Sequence, residues 1–297
     1  MVGRRLVLGG AGGLAALGLA GLGGFGLVET RVLPGRVRLD RALGRCGSAP
    51  PVPDESADVR EERWRSAARG TDVAMTVVTP RGVPARGLPV VVALHGAGGD
   101  HRAVLALRLD RYLAHAVAHG TPPFAVVGVD GGATYWHRRA TGDDPLAMIT
   151  GEVLPRLARR GLRTERIGLL GWSMGGYGAL LSAERLGAGR VAAVAASSPA
   201  LFTSLAAARG ANRTAFDDPD DFARNDVFAG LDALRPVPAW IDCGTSDTFA
   251  PLAGRLRDRL RPKPAGGLFG GCHDGPYWMR RAPGHLDFLG RRLARGV

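Results

Sequence analysis

The chain has 297 residues, 45% of them hydrophobic and 22% charged, which excludes a disordered protein and suits one large domain with a substantial buried core. A formal net charge of +12 would suit an anionic partner, yet the arginines are scattered, denser only at 156–166 and 280–295, with no basic stripe interleaved with aromatics. That distribution speaks for a solvated, arginine-rich surface and against nucleic acid as a partner.

Arg4-Arg5 precede an uncharged run from Leu6 to Val28, which Glu29 closes. A positive start followed by an apolar stretch reads as an export signal, and the arginine pair points to the twin-arginine route. The run of 23 residues is long enough to span a bilayer, although it carries nine glycines, and no Ala-x-Ala cleavage site stands out. Residues 1–29 are therefore expected to be an export signal or a membrane anchor attached through residues 6–28. Either places the rest of the chain outside the cytoplasm, secreted or on the outer face of the cytoplasmic membrane. Residues 30–70 mix Pro, Gly and charge without periodicity, and are expected to form a linker and an irregular lead-in.

From Thr71 onward the pattern tightens into one domain, 71–297. Val73, Met75 and Val77 alternate as in a half-buried strand, and Leu88–Leu94 is a continuous apolar run fit for a strand covered on both faces. His95-Gly96-Ala97-Gly98-Gly99-Asp100 follows, then a helix from Arg102 to about His119. Phe124–Val129 is another buried strand, followed by a loop with Tyr135, Trp136 and His137. Leu146, Ile149, Val153 and Leu157 share one face of the next helix. Strands are then expected at Arg166–Leu170, Val191–Ala196, Val237–Cys243 and near Gly267–Phe269. Helices are expected at Tyr177–Leu186, Pro251–Leu260 and Tyr277–Ala294. This alternation predicts an α/β fold, a mostly parallel central sheet with helices on both faces. The segment 200–234 interrupts the alternation and is expected to form a small cap or a long surface excursion.

Between an apolar strand and a helix stands Gly171-Trp172-Ser173-Met174-Gly175-Gly176. This matches the G-x-S-x-G nucleophile elbow, a turn so sharp that the serine is strained and side chains two residues to either side would collide. A serine hydroxyl is a weak nucleophile and needs a histidine to take its proton and an acid to orient that histidine. Asp247 lies four residues past the strand ending at Cys243, and His273 lies between the last strand and the last helix. Both stand in the order serine, acid, histidine. Asp242, inside its strand, is a rival acid. Among rival histidines, His285 lies within the last helix and is expected to cap it or face solvent, and His137 precedes the serine. His101, His115 and His119 belong to the first helix or its ends and are expected to be solvated. The glycine-rich loop at His95–Gly99 resembles the H-G-G-G type, which assigns oxyanion donation to the backbone amides of Ala97 and Met174. Tyr135, Trp136 and Trp172 are candidates to line an apolar substrate pocket.

Three cysteines, Cys46, Cys243 and Cys272, allow one disulfide and one leftover thiol, and the pairing is open. Cys272 adjoins His273, but no C-x-x-C or H-x-x-x-H spacing is found around it, so no metal is expected. No phosphate-binding G-x-x-x-x-G-K-[ST] and no strand-linked G-x-G-x-x-G is present, so no nucleotide cofactor is expected either.

Taken together, Gly171-Trp-Ser-Met-Gly-Gly-Tyr-Gly-Ala-Leu180, Cys243-Gly-Thr-Ser-Asp-Thr-Phe249 and Gly271-Cys-His-Asp-Gly-Pro-Tyr-Trp278 resemble the putative-esterase family of α/β-hydrolases. That family includes S-formylglutathione hydrolase (esterase D), enterochelin esterases and the secreted mycolyltransferase antigens of mycobacteria, and the resemblance runs from about Thr71 to Leu293. It implies a serine carboxylesterase with Ser173 as nucleophile, His273 as base and Asp247 as acid, acting on a small-molecule, lipid or glycan ester. An acyltransferase using the same triad, and a catalytically silent cell-wall-binding protein on the same fold, are the alternatives. The N-terminal export features depart from the cytosolic thioesterases of the family and speak against glutathione thioesters.

Overall fold

The computed structural model describes residues 36–295, with side chains from residue 38, so the expected leader at 1–29 lies outside the described residues. Eight strands form one sheet in the order β1-β2-β4-β3-β5-β6-β7-β8. In chain order the elements are α1 (Arg36–Ala42), β1 (Ala57–Ser66), β2 (Thr71–Pro80), β3 (Pro89–Leu94), α2 (Ala103–Ala106), α3 (Leu109–Ala118) and β4 (Ala125–Val129). A broken helix follows, α4 (Pro145–Met148) and α5 (Leu154–Arg159), joined by a π-turn at Ile149–Val153. Next come β5 (Arg163–Trp172), α6 (Met174–Arg190), β6 (Val191–Ser197) and the short helices α7 (Leu205–Ala211), α8 (Pro219–Arg224) and α9 (Leu231–Leu234). The chain closes with β7 (Ala239–Gly244), α10 (Ala250–Arg259), β8 (Leu268–Phe269) and α11 (Gly275–Ala294).

From β3 to β8 every neighbouring pair is parallel, including β3 with β4. β2 runs antiparallel to both β4 and β1. The central strands bury both faces, which is why their sequences read as unbroken apolar runs. Val90, Val92, Leu94, Ile167 and Leu169 pack with Met174 and Leu180 of α6 on one side. Val91, Ala93, Leu170 and Trp172 pack with Leu109 and Leu113 of α3 and Leu286, Leu289 and Leu293 of α11 on the other.

The segment 30–70 departs from the expected irregular linker. Its second half is β1, paired with β2 from Ala57↔Pro80 to Ser66↔Thr71. The strand escapes an apolar-pattern reading because it is a mostly exposed, charged edge. Ion pairs anchor it instead: Glu61 binds Arg102, and Glu62 binds Arg156 and Arg160. Charged edges of this kind discourage pairing with another sheet. The helix expected over Arg102–His119 is split into α2 and α3, because Arg108 between them adopts φ +57°.

The excursion 200–234 carries α7, α8 and α9 and is tied to the loop after β4. Arg139 of that loop binds the Asp217 carboxylate at 2.6 Å and the carbonyl oxygens of Thr214 and Ala215 at 2.7 and 2.8 Å. Tyr177 of α6 donates to the carbonyl of Asn225 at 2.6 Å.

Candidate active site

Strand order reverses around β3: the chain passes from β3 to β4 on one side and then to β5 on the other. Open α/β sheets form a crevice at the carboxyl ends of their strands at such a point. Gly96 follows β3 there, Ser173 follows β5, and a Cβ built on Gly96 would meet the Ser173 Cβ at 3.3 Å.

Ser173 has φ +56° and ψ −124°, a strained conformation for a residue with a side chain. The flanking glycines make the turn possible. A Cβ on Gly171 would stand 2.0 Å from the Gly175 carbonyl oxygen, and one on Gly175 would stand 1.8 Å from that of Leu94. Ser173 N–H donates to the Ser197 carbonyl at 3.0 Å, which fixes the elbow to β6.

The structure brings three sequence-selected side chains together. His273 Nε2 lies 2.8 Å from Ser173 Oγ, and His273 Nδ1 lies 2.8 Å from Asp247 Oδ2. The Asp247 side chain is fully buried and its other oxygen accepts the Phe249 N–H at 2.9 Å. The His273 side chain keeps 25% exposure, so a substrate can reach the pair. A hydrogen-bonded carboxylate, imidazole and hydroxyl in this order can raise the nucleophilicity of the oxygen and carry its proton.

Met174 opens α6, where a helical N–H has no acceptor within its own helix. Ala97 lies in the exposed turn next to Gly96, and among the described residues its N–H makes no hydrogen bond. His95 braces this turn from beneath. Its Nε2 accepts the Gly131 N–H at 3.0 Å, so Nδ1 carries the proton and donates to the Gly96 carbonyl at 2.8 Å. Burial holds the His95 imidazole below its ordinary pKa and keeps it neutral in that role.

The three aromatics expected to line a pocket are buried instead. Trp136 fills the space between Gly131 and Gly178, and its indole N–H donates to the His95 carbonyl at 3.2 Å. Tyr135 sits among Tyr177, Phe202 and Phe216, and burial pushes its phenol up to about 12. Tyr135 and Trp136 both adopt positive φ, which tucks their rings under the loop, a turn with no periodicity in the sequence. Trp172, the last residue of β5, belongs to the core layer beneath α3 and α11. The rings that do flank the imidazole are Phe249 and Trp278, both half-buried with centroids 5.2 Å from it. Phe249 lies two residues past Asp247, and Trp278 lies five past His273 in the first turn of α11, and that proximity was the available signal.

The rivals have other occupations. Asp242 is wholly buried and accepts from Ser197 Oγ, Trp240 Nε1, Tyr277 OH and His285 Nε2. Burial alone would raise its carboxyl, but the His285 imidazole and these donors outweigh it and hold the pKa below the ordinary value. His285 is thus a buried partner, not a cap or surface residue. His101 is buried as well, 2.7 Å from Thr76 Oγ1, rather than solvated. His137 stacks on Phe216 inside the loop packing. Cys46 pairs with Cys272, next to His273, so neither sulfur is a thiolate ligand, and Cys243 is the leftover buried thiol.

The family model described as Putative esterase matches residues 66–259. Among solved structures, a ferulic acid esterase is similar with TM-score 0.69 and 20% identity, over 80% of this chain and 99% of that one. S-Formylglutathione hydrolase from Agrobacterium tumefaciens gives 0.67 and 16%, over 83% of this chain and 98% of that one. The enterobactin esterase from Shigella flexneri gives 0.62 and 17%, over 82% of this chain and 61% of that one. No curated protein sequence matches. At these identities the structural likeness carries the α/β-hydrolase fold alone, and the family match carries the activity. Because that match spans more than half of the chain, the protein belongs to this esterase family and is an enzyme that hydrolyses carboxylic esters.

Proposed function

We propose that the protein is an exported serine carboxylesterase working through an acyl-Ser173 intermediate. The observation that carries this reading is the unbroken relay from Asp247 Oδ2 to His273 and from His273 to Ser173 Oγ, each link 2.8 Å. As Oγ bonds to the ester carbonyl carbon, His273 Nε2 takes its proton. Asp247 holds Nδ1–H and stabilises the imidazolium. The amides of Ala97 and Met174 donate to the oxyanion. Nε2–H then protonates the leaving alkoxide as its bond to carbon breaks. Water, deprotonated by the same nitrogen, releases the acid and restores Ser173.

Two further observations support parts of this reading. The Phe249 and Trp278 rings beside the imidazole suit an ester with an apolar acyl or alcohol group. The Cys46–Cys272 disulfide suits an oxidising compartment, as do Arg4-Arg5 and the apolar run at 6–28.

A panel of p-nitrophenyl esters of increasing chain length, with and without added alcohols, tests the reading. Turnover by the wild type should fall about 10⁴-fold or more in Ser173→Ala, and added alcohol should leave acid as the main product. Undiminished turnover in Ser173→Ala would overturn the mechanism, and transfer of most acyl groups to alcohol would make the enzyme an acyltransferase.

A further inference from the structure

A second group of chemically competent side chains lies away from the triad. His115 and His119 are four residues apart at the end of α3 and therefore share a helix face, with ring centroids 4.0 Å apart. Glu55, from the segment leading into β1, places Oε1 2.9 Å from His115 Nδ1. One donor atom from each of the three lies within 4.8 Å of the others. They border a shallow open cleft together with Pro51, Val52, Pro53 and Asp54.

The bonding around the histidines suits chelation. His119 Nδ1 bonds the His115 carbonyl at 2.8 Å. A carbonyl only accepts, so Nδ1 carries the proton and Nε2 keeps its lone pair. A backbone carbonyl on the remote nitrogen is a common support for a metal-bound histidine. Glu55 is held in place by Arg111, whose Nη1 donates to the carbonyls of Asp54 and Glu55 at 2.8 and 3.2 Å. Zinc–nitrogen and zinc–oxygen bonds of about 2.0–2.1 Å put neighbouring ligands roughly 3.3 Å apart. The Glu55–His115 pair is already close to that spacing, and His119, being exposed, can turn to meet it.

We propose that Glu55, His115 and His119 bind one borderline divalent transition-metal ion, of the Zn²⁺ type, with water in the remaining positions. Imidazole and carboxylate donors suit such ions, whereas Mg²⁺ and Ca²⁺ require a shell of oxygens. The ion takes the His115 Nδ1 lone pair while that imidazole's proton moves to Nε2. It ties the segment ahead of β1 to α3, so it stabilises the folded chain by mass action. Arg111 sets a cation at the border of the site, which keeps the affinity below that of a four-ligand zinc centre. The His115-x-x-x-His119 spacing was present in the sequence, but the third ligand comes from 60 positions away and no local pattern announces it.

Calorimetric titration of the untagged, disulfide-intact full chain with ZnCl₂ tests the site. One equivalent should bind, and excess Zn²⁺ should raise Tm by roughly 5–10 °C, whereas Mg²⁺ and Ca²⁺ should do neither. His119→Ala and Glu55→Gln should each weaken Zn²⁺ binding about 10- to 100-fold and remove the Tm rise, with metal-free ester hydrolysis unchanged. No binding by the wild type, or equal affinity in wild type and both variants, would overturn the proposal.

Discussion

The backbone of Ser173 and the side chain of Glu184 show how much single positions depend on what surrounds them. Gly175→Ala would press a methyl against the Leu94 carbonyl, 1.8 Å from the new Cβ. It should cost about 1–3 kcal/mol or more and misplace the Ser173 hydroxyl. Gly151→Ala, at a position with nothing within 4 Å, should leave both stability and turnover near wild type, and denaturant titration with initial rates checks the contrast. Glu184 Oε2 is buried without a partner, and burial pushes its carboxyl up to about 6. The folded state then binds this proton more tightly than the unfolded chain, whose carboxyl titrates near 4.5. Stability contributed by the protonated form is complete below the unfolded value and is lost as pH rises through 4.5 to 6. Glu184→Gln should abolish that loss, worth about 1 kcal/mol after allowance for partial solvent contact. Urea midpoints for both proteins at pH 4.5 and 7 give the difference directly.

At the scale of elements, Asp242 joins β6, β7 and α11 through one carboxylate. Ser197, Trp240, Tyr277 and His285 all depend on it. Asp242→Ala would leave those donors buried without an acceptor and should cost about 3–5 kcal/mol. Because Tyr277 begins the helix that follows His273, turnover should also fall before global unfolding, which parallel activity and Trp fluorescence melts would separate. Nothing in the sequence marks Asp242 as this hub, since only Trp240 is near it in the chain and Ser197, Tyr277 and His285 come from β6 and α11. The elements themselves were far more legible. β3, β4, β5 and β6 are apolar runs because both faces are covered, and α3 keeps an amphipathic stripe, whereas the first ten residues of α6 are buried all round. β1 was not legible, because ion pairs and a neighbouring strand hold it in place of an apolar face.

For the whole molecule, the Cys46–Cys272 disulfide spans 226 positions and joins the segment ahead of the sheet to the residue before His273. Arg280 reinforces the same junction by donating to the carbonyls of Cys46 and Ser48 at 2.8 and 2.6 Å. Cross-links over long loops stabilise by about 2–5 kcal/mol. Reduction, or Cys46→Ser with Cys272→Ser, should therefore lower Tm by roughly 5–15 °C and slow ester turnover at temperatures where the fold persists. Thermal melts with and without reductant decide this. The pairing could not be read from three cysteines, whereas Ser173, Asp247 and His273 could be selected, because each sits in a short motif at a strand's carboxyl end. The aromatic surroundings were misassigned for the opposite reason: whether Tyr135 and Trp136 meet solvent depends on loop conformation, which leaves no periodic trace.

The central claim, that Ser173 is the nucleophile activated through His273 and Asp247, is tested most directly by intact-mass and peptide-mapping analysis after treatment with a fluorophosphonate. One adduct per chain on Ser173 is predicted, absent in Ser173→Ala and formed far more slowly in His273→Ala. No adduct on the folded wild type, or an adduct that persists in Ser173→Ala, would contradict it.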